Sequence, residues 1–143
     1  LEAVDLAATA REVVQLYDLG DTPRFEVRTE NGLAPPPPAL ARKDEVKEVL
    51  VNLLENARNA DATRVIVQIA EGGRQLVVSD DGRGIPPEIV PRVFEPTFST
   101  TSSGAGLGLA ISRRLVESWG GAIALDSEPG KGTRVTLTLQ TAS

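Results

Sequence analysis

Apolar and polar residues alternate along the chain with two periods, one typical of helices and one typical of strands. The clearest helical period follows Asp44, which we expect to be an N-cap, and places an apolar residue every three or four positions. The apolar residues of this segment are Val46, Val49, Leu50, Leu53, Leu54, Ala57 and Ala60. The spacing predicts a helix with one buried face.

Two further long helices are predicted on either side of it. Residues 4–20 carry an apolar side and end at a glycine, and residues 107–118 end before Gly120 and Gly121. A short helix is also expected to start near Pro86, because proline is favoured in the first turn of a helix.

Apolar runs and period-two alternation, bounded by turn residues, predict five strands. They span residues 24–30, 63–70, 75–80, 122–128 and 133–140. A short glycine-containing segment separates the second strand from the third, as in a hairpin. Three helices and about five strands in this order predict an α/β (α+β) two-layer sandwich, with a mixed sheet packed on the helices.

At 143 residues, the chain is expected to form one domain over residues 1–143. The core must be largely aliphatic, since 41% of the residues are apolar and only 3% are aromatic. The formal charge is −5 and Lys and Arg form no run, which argues against nucleic acid as a partner.

Absent residue types narrow the chemistry further. Without cysteine there is no disulfide, thiol nucleophile or Cys-ligated zinc, and without histidine the usual proton shuttle is missing. No apolar run approaches the roughly 20 residues that span a bilayer, so we expect a cytoplasmic location and no direct membrane contact for this chain, with a membrane-anchored parent protein left open as an alternative. The chain starts with leucine and contains no methionine, and we therefore expect it to be a piece of a longer protein.

The segment NLLENARNA, residues 52–60, places two asparagines on one side of the predicted helix. Asn52 and Asn56 are four positions apart, about 40° around the helix axis, at the border of its apolar stripe. Amide oxygens at such a border can ligate Mg²⁺. Alternatively, both asparagines are ordinary solvated residues.

The segment DDGRGI, residues 80–85, directly follows an apolar strand. A carboxylate at a strand end is held rigidly and can accept a hydrogen bond from an exocyclic amine, while Gly82 and Gly84 let a flat ring approach the backbone. An ordinary Asp-Gly turn explains the same residues equally well.

A third group of motifs surrounds the last predicted helix. Phe94 and Phe98, in VFEPTFST, could anchor a lid, although core packing explains them too. In GAGLGL, residues 104–109, the glycines precede a helix, where backbone N–H groups can bind phosphate. Their spacing fits neither the dinucleotide fingerprint nor the Walker loop, so a glycine hinge without a ligand is an equal alternative. EPGKGT, residues 128–133, by itself indicates a turn.

In order and spacing, these motifs resemble the ATP-binding domain of sensor histidine kinases over nearly the whole chain. This is the Bergerat ATP-binding fold that those kinases share with gyrase- and MutL-type ATPases. The resemblance implies that Asp80 holds the adenine amino group and that Thr133 supports Asp80. It also implies that Gly82, Gly84 and Ile85 line the base.

The same resemblance implies a phosphate side of the site. Asn56 would be the Mg²⁺ ligand, with Asn52 and Asn59 in the same nucleotide-binding set. The glycine loop would form a short, nitrogen-regulation-like lid on the phosphates of ATP. Its implied contacts are Gly104, Gly106, Leu107 and Gly108.

Two features favour a kinase over a hydrolase. The ATP-hydrolysing branches carry Glu where this chain has Asn52, and an amide is a poor base. The absence of histidine means that the chain cannot autophosphorylate on histidine by itself. The resemblance therefore implies a phosphoacceptor histidine on a separate helical dimerisation domain of the parent sensor kinase, and indirectly a response regulator.

Two departures from the family pattern make the site less cationic than usual. Asn59 and Thr101 stand where family members often carry Lys or Arg. The less cationic site leaves one alternative open, a degenerate module that binds nucleotide or a partner. A separate alternative is an ATPase or serine kinase of the same fold.

Overall fold

Three helices pack against one face of a five-stranded sheet in the computed structural model, which describes residues 1–17, 23–29, 37–95 and 109–141. The helices are α1 (Leu6–Tyr17), α2 (Lys43–Asn59) and α3 (Leu109–Ser118). The predicted two-layer α/β sandwich is confirmed. None of the helices among these residues is long and apolar enough to cross a membrane.

The main sheet has the strand order β2-β4-β5-β7-β6, with β2 parallel to β4 and every other pair antiparallel. Its strands are β2 (Arg24–Thr29), β4 (Arg64–Ala70), β5 (Gln75–Asp80), β6 (Ala122–Glu128) and β7 (Gly132–Thr138). The five predicted strands are therefore confirmed, with end points that differ by at most two residues. Apolar and polar residues alternate along the strands because one face of the sheet is covered by helices and the other faces solvent.

Helix α2 buries the stripe that its sequence predicts. Six of the seven predicted apolar residues are buried, and Ala60 is the half-buried C-cap residue. The predicted N-cap is wrong by two positions: Arg42 is the N-cap residue, and Asp44 lies in the first turn. The helix begins earlier because the Val46 N–H already bonds to the Arg42 carbonyl at 2.9 Å, and Asp44 still interacts favourably with the helix dipole.

A second, three-stranded sheet was not predicted. It has the order β1-β3-β8 and consists of β1 (Glu2–Val4), β3 (Ala39–Ala41) and β8 (Gln140–Thr141). Strands of two or three residues carry too few positions to show alternation. Because β1 takes Val4, the first residue of the predicted helix, α1 starts at Leu6, where Asp5 accepts the Ala8 N–H at 3.1 Å.

The C-terminal end of α3 is fixed against α2. Trp119, 1% exposed, donates its indole N–H to Glu45 Oε1 at 2.8 Å, which joins the end of α3 to the first turn of α2. The short helix expected near Pro86 is a single 3₁₀ turn, Val90–Arg92, preceded by turn residues. The predicted helix start at Leu107 lies outside the described residues.

Candidate functional site

A cavity of about 270 Å³ lies between α2, the start of α3 and the helix-facing side of β5, β7 and β6. Most of its wall is apolar, formed by Leu53, Val78, Ile85, Ile89, Leu109, Leu125 and Val135. Its polar side chains are Asn56, Asn59, Asp80, Arg83 and Thr133. Among the described lining residues, Asp80 is thus the one carboxylate and Arg83 the one cation.

Asp80 is the last residue of β5, and its side chain lines the cavity. Its carboxylate accepts the Gly82 N–H at 2.8 Å and also the backbone N–H of Thr133. Burial raises the pKa of this carboxyl group, the neighbouring Asp81 charge adds to the increase, and the two N–H bonds oppose it. A carboxylate held in this way is a rigid hydrogen-bond acceptor in apolar surroundings.

Asp81 has a different environment, although it is the next residue. It is exposed, and it accepts the backbone N–H groups of Thr63 and Arg64 at 2.7 and 2.9 Å and the Thr63 hydroxyl. The Thr63 hydroxyl bond is the main reason that the pKa of Asp81 lies below its ordinary value. Asp81 therefore fixes the start of β4, and only Asp80 is available to a ligand in the cavity.

A network of hydroxyl groups supports the Asp80 end of the cavity. Thr133 is the cross-strand partner of both Asp80 and Ser127. Ser127 Oγ lies 2.8 Å from Thr133 Oγ1, accepts the Ile85 N–H at 2.8 Å and donates to the Gly132 carbonyl at 3.0 Å. Sequence reasoning missed Ser127, because only the β6–β7 register brings it to the site.

Two glycines let the backbone close tightly around this end. Gly84 has φ +76°, and a Cβ there would collide with the Glu128 carbonyl oxygen. Gly132 has φ +109°, and a Cβ there would collide with the Asp80 carbonyl oxygen. Both positions require glycine for its backbone conformation and for its lack of a side chain.

The segment that follows β5 is also fixed by main-chain bonds, to the end of α2 and to the β6–β7 turn. The Arg83 N–H donates to the Ala60 carbonyl at 2.9 Å, and the Arg83 carbonyl accepts the Gly130 N–H at 2.7 Å. A Cβ on Gly82 would lie 2.7 Å from the Ala60 carbonyl oxygen, so this glycine permits the close approach to the end of α2. Gly82 is not among the residues that line the cavity, and its backbone N–H instead holds Asp80.

Helix α2 contributes two of its three predicted asparagines to the cavity. Asn56 and Asn59 line it, and Asn52 does not. The Asn52 amide nitrogen donates to Ser112 Oγ of α3 at 3.1 Å. The place of Asn52 in the nucleotide-binding set stays a prediction from the family resemblance.

Arg83 is a second residue that sequence reasoning missed. Its guanidinium hydrogen-bonds to the Asn59 carbonyl and lies 3.7 Å from the Asp61 carboxylate. The side chain brings a positive charge to the rim, beside the position where the family often carries its own cation. Its place between Gly82 and Gly84 in the DDGRGI motif was the available signal.

Several predicted contacts fall outside the described residues: Gly104, Gly106, Leu107 and Gly108, together with Phe98 and Thr101. Phe94 is described; it is half-buried, and the Arg113 guanidinium carbon lies 5.6 Å from its ring centre. The proposed phosphate loop thus remains a prediction from sequence.

The cavity suits a flat, partly apolar ligand with an amino group and an anionic tail. The apolar walls can enclose a ring, Asp80 can accept from an amine, and the rim offers amides and one guanidinium. Among the described residues, no three Asp, Glu, His or Cys side chains are grouped to hold a metal ion. A Mg²⁺ ion here would need Asn56 together with ligand oxygens and water, which is the coordination that Mg²⁺ commonly adopts.

Comparisons with known proteins agree with this chemistry. The sensor histidine kinase ZraS of Escherichia coli K12 is 34% identical over 97% of this chain and 31% of its own length. The C4-dicarboxylate transport sensor protein DctB of Rhizobium meliloti is 37% identical over 73% of this chain and 18% of its own length. The chain therefore spans less than a third of these curated relatives.

Solved structures give the same result for the fold. The catalytic domain of the histidine kinase ThkA has a TM-score of 0.80 at 26% identity, covering 99% of this chain and 97% of that one. Full-length ShkA in complex with AMPPNP has a TM-score of 0.80 at 30% identity, covering 100% of this chain and 32% of that one. Residues 41–143 match the family described as histidine kinase-, DNA gyrase B-, and HSP90-like ATPases, and the chain belongs to this family.

Proposed function

We propose that this chain binds Mg·ATP in the cavity and presents the γ-phosphate to a histidine on a separate helical domain of a parent sensor kinase. The position of Asp80 carries the proposal: a half-buried carboxylate at one end of an apolar cavity, with Asn56 on the α2 wall. An adenine ring with its amino group toward Asp80 satisfies this carboxylate, and the phosphates then extend toward α2 and α3.

The described site residues would have distinct roles in this arrangement. Asp80 accepts from the adenine amino group, and Thr133 holds Asp80 through its backbone N–H. Ile85 and Gly84, which line the cavity, would contact the base, and Asn56 would ligate Mg²⁺. From the motif alone, we assign the phosphates to the loop containing Gly104, Gly106, Leu107 and Gly108.

The bound nucleotide would then donate its γ-phosphoryl group to the acceptor histidine. Mg²⁺ would supply charge neutralisation for the phosphates, and this chain's residues would orient the nucleotide. The bond between the γ-phosphorus and the bridging oxygen breaks, a phosphorus–nitrogen bond to the acceptor imidazole forms, ADP leaves, and the imidazole N–H proton is released to solvent. The chain contains no histidine, so the acceptor belongs to another domain, and a response regulator would receive the phosphoryl group afterwards.

Efficient ATP hydrolysis is disfavoured by the same geometry. Asp80 is the one carboxylate among the described lining residues, and its place at the adenine end leaves no described carboxylate to activate a water at the γ-phosphate. A protein with this site would protect ATP until an acceptor side chain arrives.

Calorimetric titration of Mg·ADP and a non-hydrolysable ATP analogue into the chain tests the binding step. We expect micromolar binding that Asp80→Asn abolishes. Asp81→Asn is the matched control, because this neighbouring carboxylate faces away from the cavity, and it should leave binding unchanged. Absence of binding by the wild-type chain would overturn the proposal in favour of a partner-binding module.

The transfer step needs a second assay. The chain, ATP and the separately produced helical domain of the parent kinase should together yield an acid-labile phosphohistidine on that domain. Good nucleotide binding without transfer would support a degenerate nucleotide-binding module.

A further inference from the structure

The Ser127 hydroxyl, at the Asp80 end of the cavity, makes two hydrogen bonds of fixed direction. A serine hydroxyl has one proton to donate and two lone pairs that accept. Ser127 Oγ accepts the Ile85 N–H at 2.8 Å and donates to the Gly132 carbonyl at 3.0 Å. An amide N–H can only donate and a carbonyl oxygen can only accept. The Ser127 proton is therefore used on Gly132, and one lone pair remains for a third partner.

The third partner is the hydroxyl group of Thr133. Its Oγ1 lies 2.8 Å from Ser127 Oγ, across a pair formed by the β6–β7 register. Because Ser127 has already used its proton, Thr133 is the donor in this bond. Thr133 lines the cavity and Ser127 does not, so the Thr133 proton is directed away from the cavity. The lone pairs that remain on Thr133 Oγ1 can only accept.

Two neighbouring side chains thus meet a ligand as hydrogen-bond acceptors. Asp80 and Thr133 are cross-strand partners on β5 and β7, and both line the cavity. The ionised Asp80 carboxylate can only accept, and the Thr133 proton is held by Ser127. An exocyclic amino group, with its two N–H donors, suits this end of the cavity. A carbonyl oxygen at the same place would meet lone pairs on both sides.

We propose that Ser127 determines base specificity as a positioning residue: it holds the Thr133 hydroxyl as an acceptor, so that the cavity selects a base with an amino group over one with a carbonyl group at that place. Ser127 acts through Thr133 and does not touch the ligand. The proposal rests on the proposed function, because it takes the ligand to be a purine nucleotide. It goes beyond the role of Asp80, since a hydroxyl free to rotate beside that carboxylate would donate to a carbonyl ligand.

Mg·ADP and Mg·IDP, the inosine nucleotide, test this proposal because they differ only in the base. Hypoxanthine carries a carbonyl group where adenine carries an amino group, whereas the ribose and phosphates are identical. Contacts to the phosphates therefore cancel in the ratio of the two Kd values, which competition titration measures. We expect the wild-type chain to prefer Mg·ADP. In Ser127→Ala, Thr133 can donate to the carbonyl group, and the preference should fall about threefold to tenfold, the range of one hydrogen bond.

Further variants are needed because Ser127→Ala also removes the acceptor of the Ile85 N–H. Thr133→Val removes the Thr133 hydroxyl and leaves the Ser127 bonds to Ile85 and Gly132 in place, and it should lower the preference as well. Adding Ser127→Ala to Thr133→Val should then change the Kd ratio by less than about a factor of two, because the group through which Ser127 acts is gone. Ser127→Thr keeps the hydroxyl and should retain the wild-type preference.

Ser79→Ala is the matched control. Ser79 directly precedes Asp80 on β5 and is not among the residues that line the cavity. The same serine-to-alanine change at this position should leave both affinities at their wild-type values. A fall in preference as large as that of Ser127→Ala would show a general effect of the sheet and overturn the proposal.

The remaining outcomes separate this proposal from the proposed function. An unchanged preference in Ser127→Ala, with Asp80-dependent Mg·ADP binding intact, overturns the role of Ser127 alone. Equal losses of Mg·ADP and Mg·IDP affinity in Ser127→Ala show a structural role only and also overturn it, as does equal affinity of the wild-type chain for the two nucleotides. Failure of the wild-type chain to bind Mg·ADP overturns both this proposal and the proposed function.

Discussion

At the scale of single residues, two adjacent carboxylates illustrate how the site is made. Asp80, at the end of β5, lines the cavity. The next residue, Asp81, instead accepts a backbone N–H group at the start of β4. Their pKa values move in opposite directions, because burial dominates for Asp80 and hydrogen bonds to Thr63 dominate for Asp81. The raised pKa means that the half-buried Asp80 carboxylate lowers the stability of the free domain at neutral pH, and under our proposed function it is retained to accept the adenine amino group.

Asp80→Asn should therefore stabilise the free domain while it abolishes nucleotide binding. The raised pKa means that Asp80 favours the folded state only while protonated, and this contribution is lost as pH rises through its folded pKa. At neutral pH the variant should unfold a few degrees above wild type in calorimetry, and the difference should narrow near about pH 4. A lower unfolding temperature for the variant at neutral pH would contradict this account.

Arg83 should contribute to nucleotide affinity as the described cation at the rim. Its ion pair with Asp61 is exposed on both sides and therefore holds the guanidinium only weakly. We expect Arg83→Ala to weaken Mg·ADP binding about threefold to tenfold, measured by calorimetry. Arg74→Ala, in the exposed β4–β5 turn, serves as the control and should bind normally.

At the scale of elements, the site depends on the close approach of three connections: the end of α2, the segment after β5 and the β6–β7 turn. Main-chain bonds from Arg83 to Ala60 and from Gly130 to Arg83 hold them together. The DDGRGI motif thus serves as a junction between layers as well as a wall of the cavity.

Three glycines with positive φ allow this junction to be tested. Gly130, at φ +78°, has open space around it, so Gly130→Ala should cost only the conformational penalty of about 1–2 kcal/mol. Gly84→Ala and Gly132→Ala add a collision with a backbone carbonyl, and each should cost about 1–3 kcal/mol more. Urea unfolding measures the three free energies of unfolding, and similar losses at all three positions would argue against the tight junction.

At the scale of the whole molecule, helices and sheet enclose the cavity from opposite sides. A ligand in it touches α2, α3 and three strands at once, so binding should stabilise the domain as a unit. A saturating Mg·ADP concentration of about 100 times Kd adds about 2.7 kcal/mol to the free energy of unfolding. Thermal unfolding with and without Mg·ADP should show this increase in the wild-type chain and no increase in Asp80→Asn.

The parts of the structure that the sequence by itself determined are those with a local physical cause. The buried stripe of α2, the β4–β5 hairpin and the position of Asp80 at a strand end follow from periodicity and turn residues within short windows. The family resemblance followed as well, because its motifs are contiguous and appear in order. The helix ends at Asp44 and at the start of α1 were wrong, because one carbonyl bond or a short strand decides them, and the short helix expected near Pro86 is a single 3₁₀ turn.

Contacts between distant segments decided the rest. The register of β6 on β7 brings Ser127 to Thr133, and the packing of α3 on α2 brings Ser112 within hydrogen-bond distance of the Asn52 amide. Helical spacing placed Asn52 and Asn56 on one face but could not show that α3 supplies a partner for Asn52, because that contact joins residues 60 positions apart. The position of Arg83 at the site also depends on contacts between distant segments. Its partners, Asn59 and Asp61, are near it only after the sheet and α2 have packed together.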